Sequence, residues 1–177
     1  GSMIKRFREE FEAHIEAARE RNGLGAEGGG WTQLMAGLNY ERTILAASAL
    51  GLAQRAFDDA LAYAKERRQF GRPIGSFQAV KHLCAEMLLE LESARAAASH
   101  AAGSVESGAL PPAAAVAKVA CSEAFVRIAT DSLHVHGGLG FTWDHDAHLY
   151  LRRARSSLHL FGDPRHHRER LARHLGL

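Results

Sequence analysis

Apolar positions recur three and four residues apart along most of the chain, the period of an amphipathic helix, and no stretch alternates with the period of a strand. Ile4, Phe7, Phe11, Ile15 and Ala18 put one apolar face on a first helix over 4–21. A glycine-rich run over 22–30, ending Gly28-Gly29-Gly30, cannot stay helical and marks the internal boundary. Leu34, Leu38, Leu45, Leu52, Phe57 and Leu61 carry the period through a long helix over 31–69. Gly37 and Gly51 lie inside it, each costing ~1 kcal/mol against alanine, and are expected to admit a close neighbour. After a break at 70–75, Ser76 is placed to cap a third helix that reaches about 107. Gly108 and Pro111-Pro112 stop it, and a fourth helix covers 113–135. Gly137-Gly138-Leu139-Gly140 then turns the chain into a shorter helix over 146–155. Asp163-Pro164 reads as the cap and first turn of the last one. The pattern predicts an all-α fold, an antiparallel helical bundle of the four-helix type.

Composition narrows the setting. The chain has 177 residues, 46% hydrophobic and 24% charged, which suits one ordinary globular domain. The expected organisation is a tag scar at Gly1-Ser2 with a helix of unclear origin over 1–21, a linker over 22–30, and a helical domain over 31–177. Cys84 and Cys121 stand far apart without a CxxC spacing, which points to reduced thiols and a cytoplasmic setting. No apolar run approaches the ~20 residues that span a bilayer, so no membrane role is expected.

Three stretches could carry chemistry. Glu41, in Tyr40-Glu41-Arg42, enters an apolar segment where partial desolvation would favour general-base use; the plain alternative is a surface glutamate offset by Arg42. Arg67 and Arg68, beside Phe70-Gly71, could grip a phosphate through forked donors, or could simply complement a helix C-terminus. The Gly137–Gly140 run could let backbone approach a ligand, or merely turn the chain. Eleven histidines raise the question of a metal, but paired Glu-x-x-His motifs do not occur, and no metal is expected. The basic tail over 152–177 follows no recognition-helix pattern, so no nucleic acid is expected either.

Taken together, several ordered motifs resemble the C-terminal helical domain of flavin-dependent acyl-CoA dehydrogenases. They are Leu24-Gly25-Ala26-Glu27-Gly28-Gly29-Gly30-Trp31, Glu41-Arg42, Lys65-Glu66-Arg67-Arg68-Gln69-Phe70-Gly71-Arg72-Pro73-Ile74 and Phe77-Gln78-Ala79-Val80-Lys81-His82. His136-Gly137-Gly138-Leu139-Gly140-Phe141-Thr142 and Arg152-Arg153-Ala154-Arg155 complete the set. The stretch Phe141–Tyr150 looks most like actinobacterial lipid- and steroid-catabolic members. The resemblance implies α,β-dehydrogenation of an acyl-CoA thioester with FAD as cofactor, in a homo- or hetero-oligomer, typically a tetramer. It implies FAD contacts at Arg67, Phe70 and Gln78 from one protomer and at His134, Gly137 and Gly138 from its neighbour; His134 replaces a common glutamine. It also implies substrate contacts at Leu38, Asn39 and Arg42.

The family carries its catalytic base in either of two places. The Tyr-Glu-Gly-Thr position after the glycine motif is occupied here by Gly162, in Leu160-Phe161-Gly162-Asp163-Pro164. The other position, on the long helix, coincides with Glu41, which the resemblance makes the expected base. Adding Gly162→Glu to Glu41→Gln is expected to restore some activity by moving the base. The family's N-terminal and β domains have no counterpart in the residues before the match, so independent flavin chemistry by the lone chain is not expected. The alternative reading is a non-catalytic oligomerisation or scaffold subunit, or an engineered domain fragment.

Overall fold

The computed structural model describes residues 12, 13, 15–17, 23 and 26–177. The chain divides into two compact units, 1–37 and 38–177. In the first, residues 12–13 and 15–17 are helical; the rest of the helix expected over 4–21 lies outside the described residues. A turn follows at 26–28, with Gly28 at φ +79°. Helix α1, Gly30–Glu66, starts in this unit and continues into the second.

In the second unit α1 is followed by α2 (Gln78–Gly103), α3 (Leu110–His136), α4 (Ala147–His159) and α5 (Pro164–His174). Helix α3 is the hub: it packs against α2, α4 and α5 and is buried on nearly every side. Its polar residues Glu123, Arg127, Asp131 and His134 recur at helical spacing along the more open face, while most other positions are buried. Ala46, Ala49, Ala53, Ala56, Ala60 and Ala64 form a buried stripe on α1 at three- and four-residue steps. They share one core with Met87 and Leu91 of α2 and with Phe125 and Ile128 of α3. The fully buried Phe125 and Ile128 each contribute about 2 kcal/mol of transfer free energy. Cys84 and Cys121 are free thiols, and Cys121 donates to the Ala94 carbonyl at 3.4 Å.

The all-α bundle matches the expected class, while several local readings change. Helix α1 ends at Glu66, short of the expected 69, and a two-residue hairpin pairs Arg68–Gln69 with Arg72–Pro73. Phe70 (φ +52°) and Gly71 (φ +78°) form its turn, both in the left-handed region that a tight hairpin demands. Strands of two residues leave no period to detect. Ser76 does not cap α2: its Oγ donates to the Pro73 carbonyl at 2.7 Å, and Phe77 takes the cap position. Helix α2 ends at Gly103, and α3 begins at Leu110, so Pro111 and Pro112 sit in its first turn, where a missing N–H costs little. Asp163 caps α5 as expected, its Oδ1 accepting from the His166 N–H at 2.7 Å.

Gly37 and Gly51 do not admit a close neighbour, because a Cβ on either would meet open space. The tight glycine is Gly75, where a Cβ would fall 2.8 Å from the Ala64 carbonyl oxygen. Gly75→Ala should therefore cost about 1–3 kcal/mol. Gly51→Ala should stabilise the helix by up to about 1 kcal/mol. Urea unfolding of the two variants checks the contrast; equal effects would refute it.

Candidate active site and flavin-binding positions

The end of the chain is held against α1 by the buried Arg42, the half-buried Arg170 and the buried, neutral His167. Arg42, 5% exposed, donates from Nε to the Phe161 carbonyl at 3.1 Å and from Nη1 to Asn39 Oδ1 at 3.1 Å. Arg170 on α5 donates to the same Asn39 oxygen at 3.3 Å. His167, fully buried, donates from Nε2 to the Phe161 carbonyl at 3.2 Å. Two donors thus converge on the carbonyl of Phe161, whose φ of +58° is the strained left-handed region for a non-glycine residue. Just upstream, the buried Lys118 ammonium donates to Ser122 Oγ (2.9 Å) and to the Leu158 carbonyl (3.0 Å) at the end of α4. Cations suit a helix C-terminus, where carbonyls lack partners.

Electrostatics follows from that crowding. Burial pushes the His167 imidazole down to about 4, helped by Arg42, Arg170, His166 and Lys118. Burial likewise holds Lys118 below its ordinary value, with Asp163 acting the other way. With Nε2 donating, His167 is neutral and its Nδ1 is a bare acceptor without a partner among the described residues. Asp163 is held below the usual carboxylate range first by the hydrogen bond from the His166 amide.

The structure brings together the two places where a base was sought. The Arg42–Phe161 bond sets the Tyr40-Glu41-Arg42 turn of α1 against the 160–163 segment. Glu41 itself is exposed, so the expected desolvation is absent from this chain, while Leu38 is half-buried and Asn39 is buried. Arg42 does not offset Glu41; it is spent on Asn39 and Phe161. Gly162 lies at φ +106°, and a Cβ there would sit 2.8 Å from His166 Cδ2 and 2.9 Å from His167 Nε2. That position has no room for a side chain.

The positions expected from the sequence to contact flavin lie elsewhere in the chain. Arg67 and Gln78 are exposed beside the hairpin, and Phe70 at its tip is 91% exposed. His134 is exposed on α3, 3.7 Å from Asp131, while Gly137 and Gly138 open the short turn of 3-10 helix that runs Gly137–Phe141. Among the described residues no hydrogen bond, ion pair or ring contact joins Arg67, Phe70 or Gln78 to His134, Gly137 or Gly138. The sequence reading missed His167, Arg170 and Lys118. Lys118 had a usable signal, being a lone cation in the alanine-rich run Ala113-Ala114-Ala115-Val116-Ala117-Lys118-Val119-Ala120.

An all-α bundle of this kind is shared with known proteins. Residues 28–176 match the acyl-CoA dehydrogenase C-terminal domain, and the chain belongs to the acyl-CoA dehydrogenase family. It is 55% identical over 115 residues to acyl-CoA dehydrogenase FadE34 of Mycobacterium tuberculosis, covering 63% of this chain and 16% of that protein. It is 41% identical over 128 residues to acyl-CoA dehydrogenase IpdE2 of Mycolicibacterium smegmatis, covering 72% of this chain and 40% of that protein. Butyryl-CoA dehydrogenase from Megasphaera elsdenii superposes with a TM-score of 0.84 at 31% identity, over 87% of this chain and 40% of that one. The chain thus spans less than half the length of these relatives. No helix among the described residues is long and apolar enough to cross a membrane.

Proposed function

We propose that this chain forms the base-bearing and cofactor-contacting domain of an enzyme that dehydrogenates acyl-CoA thioesters between the α and β carbons, in lipid catabolism. The observation that carries the reading is the junction of α1 with the 160–163 turn. It sets the Glu41 segment against a turn that has no side chain at Gly162. In the reaction the Glu41 carboxylate accepts the α-proton of the thioester. Asp163, though adjacent, has Oδ1 occupied by the His166 N–H and is a poorer proton acceptor. Leu38, Asn39 and Arg42 shape the turn of α1 that faces the substrate.

The residues present fit FAD. The Arg67 side chain makes no hydrogen bond or ion pair among the described residues, leaving its planar donors for a pyrophosphate. Phe70 holds an exposed ring at a strained φ, and the backbone at Gly137 and Gly138 is open, since an added Cβ would meet nothing within 4 Å. Gln78 and His134 add polar contacts. A bound flavin supplies the acceptor for the β-hydride. Because the two sets of contacts are not joined within the chain, the cofactor would be completed by a neighbouring protomer, in a homo- or hetero-oligomer of four chains. Exposed Phe141 (69%) and Trp143 (78%) are consistent with such an assembly. A monomeric mass by light scattering across a wide concentration range would contradict it.

Titration of the purified protein with FAD, followed by visible absorption, tests the reading. Stoichiometric flavin uptake is expected, and Arg67→Ala should weaken it by about 1–3 kcal/mol. A protein that ignores added FAD would favour the scaffold alternative, and an unchanged Arg67→Ala affinity would remove that residue from the site.

A further inference from the structure

Phe161 holds a backbone conformation that its side chain does not favour. It follows Leu160, the C-cap of α4, and its φ of +58° is the left-handed ending that glycine or asparagine adopts at least cost. Glycine stands one position later, at Gly162, yet a phenylalanine occupies the strained place. Among the described residues one other non-glycine has a positive φ, and it too is a phenylalanine, Phe70 at the tip of the hairpin. Strain of this kind persists only where surrounding groups enforce it, and it gathers at functional positions. Here the enforcing groups are Arg42 Nε and His167 Nε2, buried donors that hold the Phe161 carbonyl at 3.1 and 3.2 Å.

What the strain retains is not core packing. Phe161 is half-buried but stands outside the hydrophobic core that takes in Tyr150 and Leu151 of α4, and its ring makes no aromatic contact among the described residues. The turn that follows it offers a ligand little else. Gly162 has no side chain and no room for one, and Asp163 turns its Oδ1 back to the His166 N–H at 2.7 Å. Across the Arg42–Phe161 bond, α1 carries apolar side chains one turn to either side of Glu41: Leu38, half-buried, and Ile44, 63% exposed. A hydrocarbon chain gains most from such surfaces, since it brings no polar groups that need partners.

We propose that Phe161 is a specificity-determining residue, its ring forming the apolar surface on which the hydrocarbon chain of the acyl thioester packs beside Glu41. Resting on the dehydrogenase reading, this role makes the ring favour extended alkyl chains over short ones.

Two substitutions separate the ring from the backbone. Phe161→Asn removes the ring and sets a residue at ease in the left-handed region, while Phe161→Tyr keeps both ring and strain. In the chain assembled with the domains that complete its site, kcat/KM for octanoyl-CoA relative to butanoyl-CoA should fall about tenfold in Phe161→Asn, the reach of a small apolar contact in telling substrates apart. The loss should appear in the KM for octanoyl-CoA rather than in kcat, and Phe161→Tyr should keep the original ratio. Urea unfolding of the chain gives a readout without turnover: the midpoint of Phe161→Asn should rise, because strain is relieved where no core contact is lost. An unaltered ratio in Phe161→Asn, a ratio lost equally in Phe161→Tyr, or a lower urea midpoint for Phe161→Asn would each overturn the role of Phe161. So would an enzyme active on other thioesters but on neither probe; in all these cases the dehydrogenation reading would stand. An assembled enzyme that oxidises no acyl-CoA thioester at all would remove that reading, and the role of Phe161 with it.

Discussion

Glu41→Gln, in the chain assembled with the domains that complete its site, should cut dehydrogenation by about 10²–10⁴-fold, the usual reach of a general base. Flavin content should stay unchanged, since the substitution keeps the shape of the side chain and removes only its ability to take a proton. Turnover with an artificial electron acceptor, alongside the visible spectrum, measures both. Moving the base to Gly162 is not expected to rescue the variant, contrary to what the sequence pattern suggests. At φ +106° only glycine is at ease, and a Cβ would press on His166 and His167 at 2.8 and 2.9 Å. His167 is fully buried and cannot yield. The double variant Glu41→Gln/Gly162→Glu should therefore be as inactive as Glu41→Gln and less stable. Wild-type turnover in Glu41→Gln would place the base on another chain.

The second large effect is on stability in mild acid. His167 ionises near its ordinary 6.5 when unfolded and only at about 4 when folded. Between those values the unfolded chain binds a proton that the folded chain refuses. Stability therefore falls as pH drops from about 6.5 to about 4, by about 2–3 kcal/mol, and this contribution levels off below. Asp163, whose folded value is depressed, takes over below its unfolded 3.8 and is lost as pH falls further. Urea unfolding at a series of pH values should show the slope, and His167→Gln, which keeps an N–H for the Phe161 carbonyl, should flatten it. Identical slopes in the two proteins would mean that His167 titrates normally when folded.

Much of this architecture is legible in the sequence because long helices announce themselves. The three- and four-residue steps of Leu45, Leu52 and Leu61 and the cap chemistry of Asp163-Pro164 are local properties, read without knowing any neighbour. What escaped depends on distant groups. The hairpin at 68–73 is too short for a period, and its turn is fixed by backbone angles rather than by composition. Arg42 looked like a surface counter-ion to Glu41 because nothing in its own stretch reveals the Phe161 carbonyl, 119 positions away, to which it is bound. Gly51 looked like a packing glycine because sequence cannot distinguish a crowded helix face from an open one. The candidate site residues were proposed through motifs, and the groups that hold the 160–163 turn went unnoticed, because histidine and arginine in a basic tail resemble any solvated helix.

The alanine stripe along α1 inverts the usual vulnerability of a hydrophobic core. Where leucines fill an interior, deleting methylenes leaves holes and truncation does the damage. Here most buried positions of the long helix already carry the smallest side chain that still favours a helix, so there is little left to remove. Harm comes from growth: a single larger residue at Ala53, Ala56 or Ala60, each with no exposed surface, would have to push a neighbouring helix away. The stripe acts as a ruler that fixes how near the helices stand, and with it the distance at which α1 presents Glu41 to whatever lies opposite.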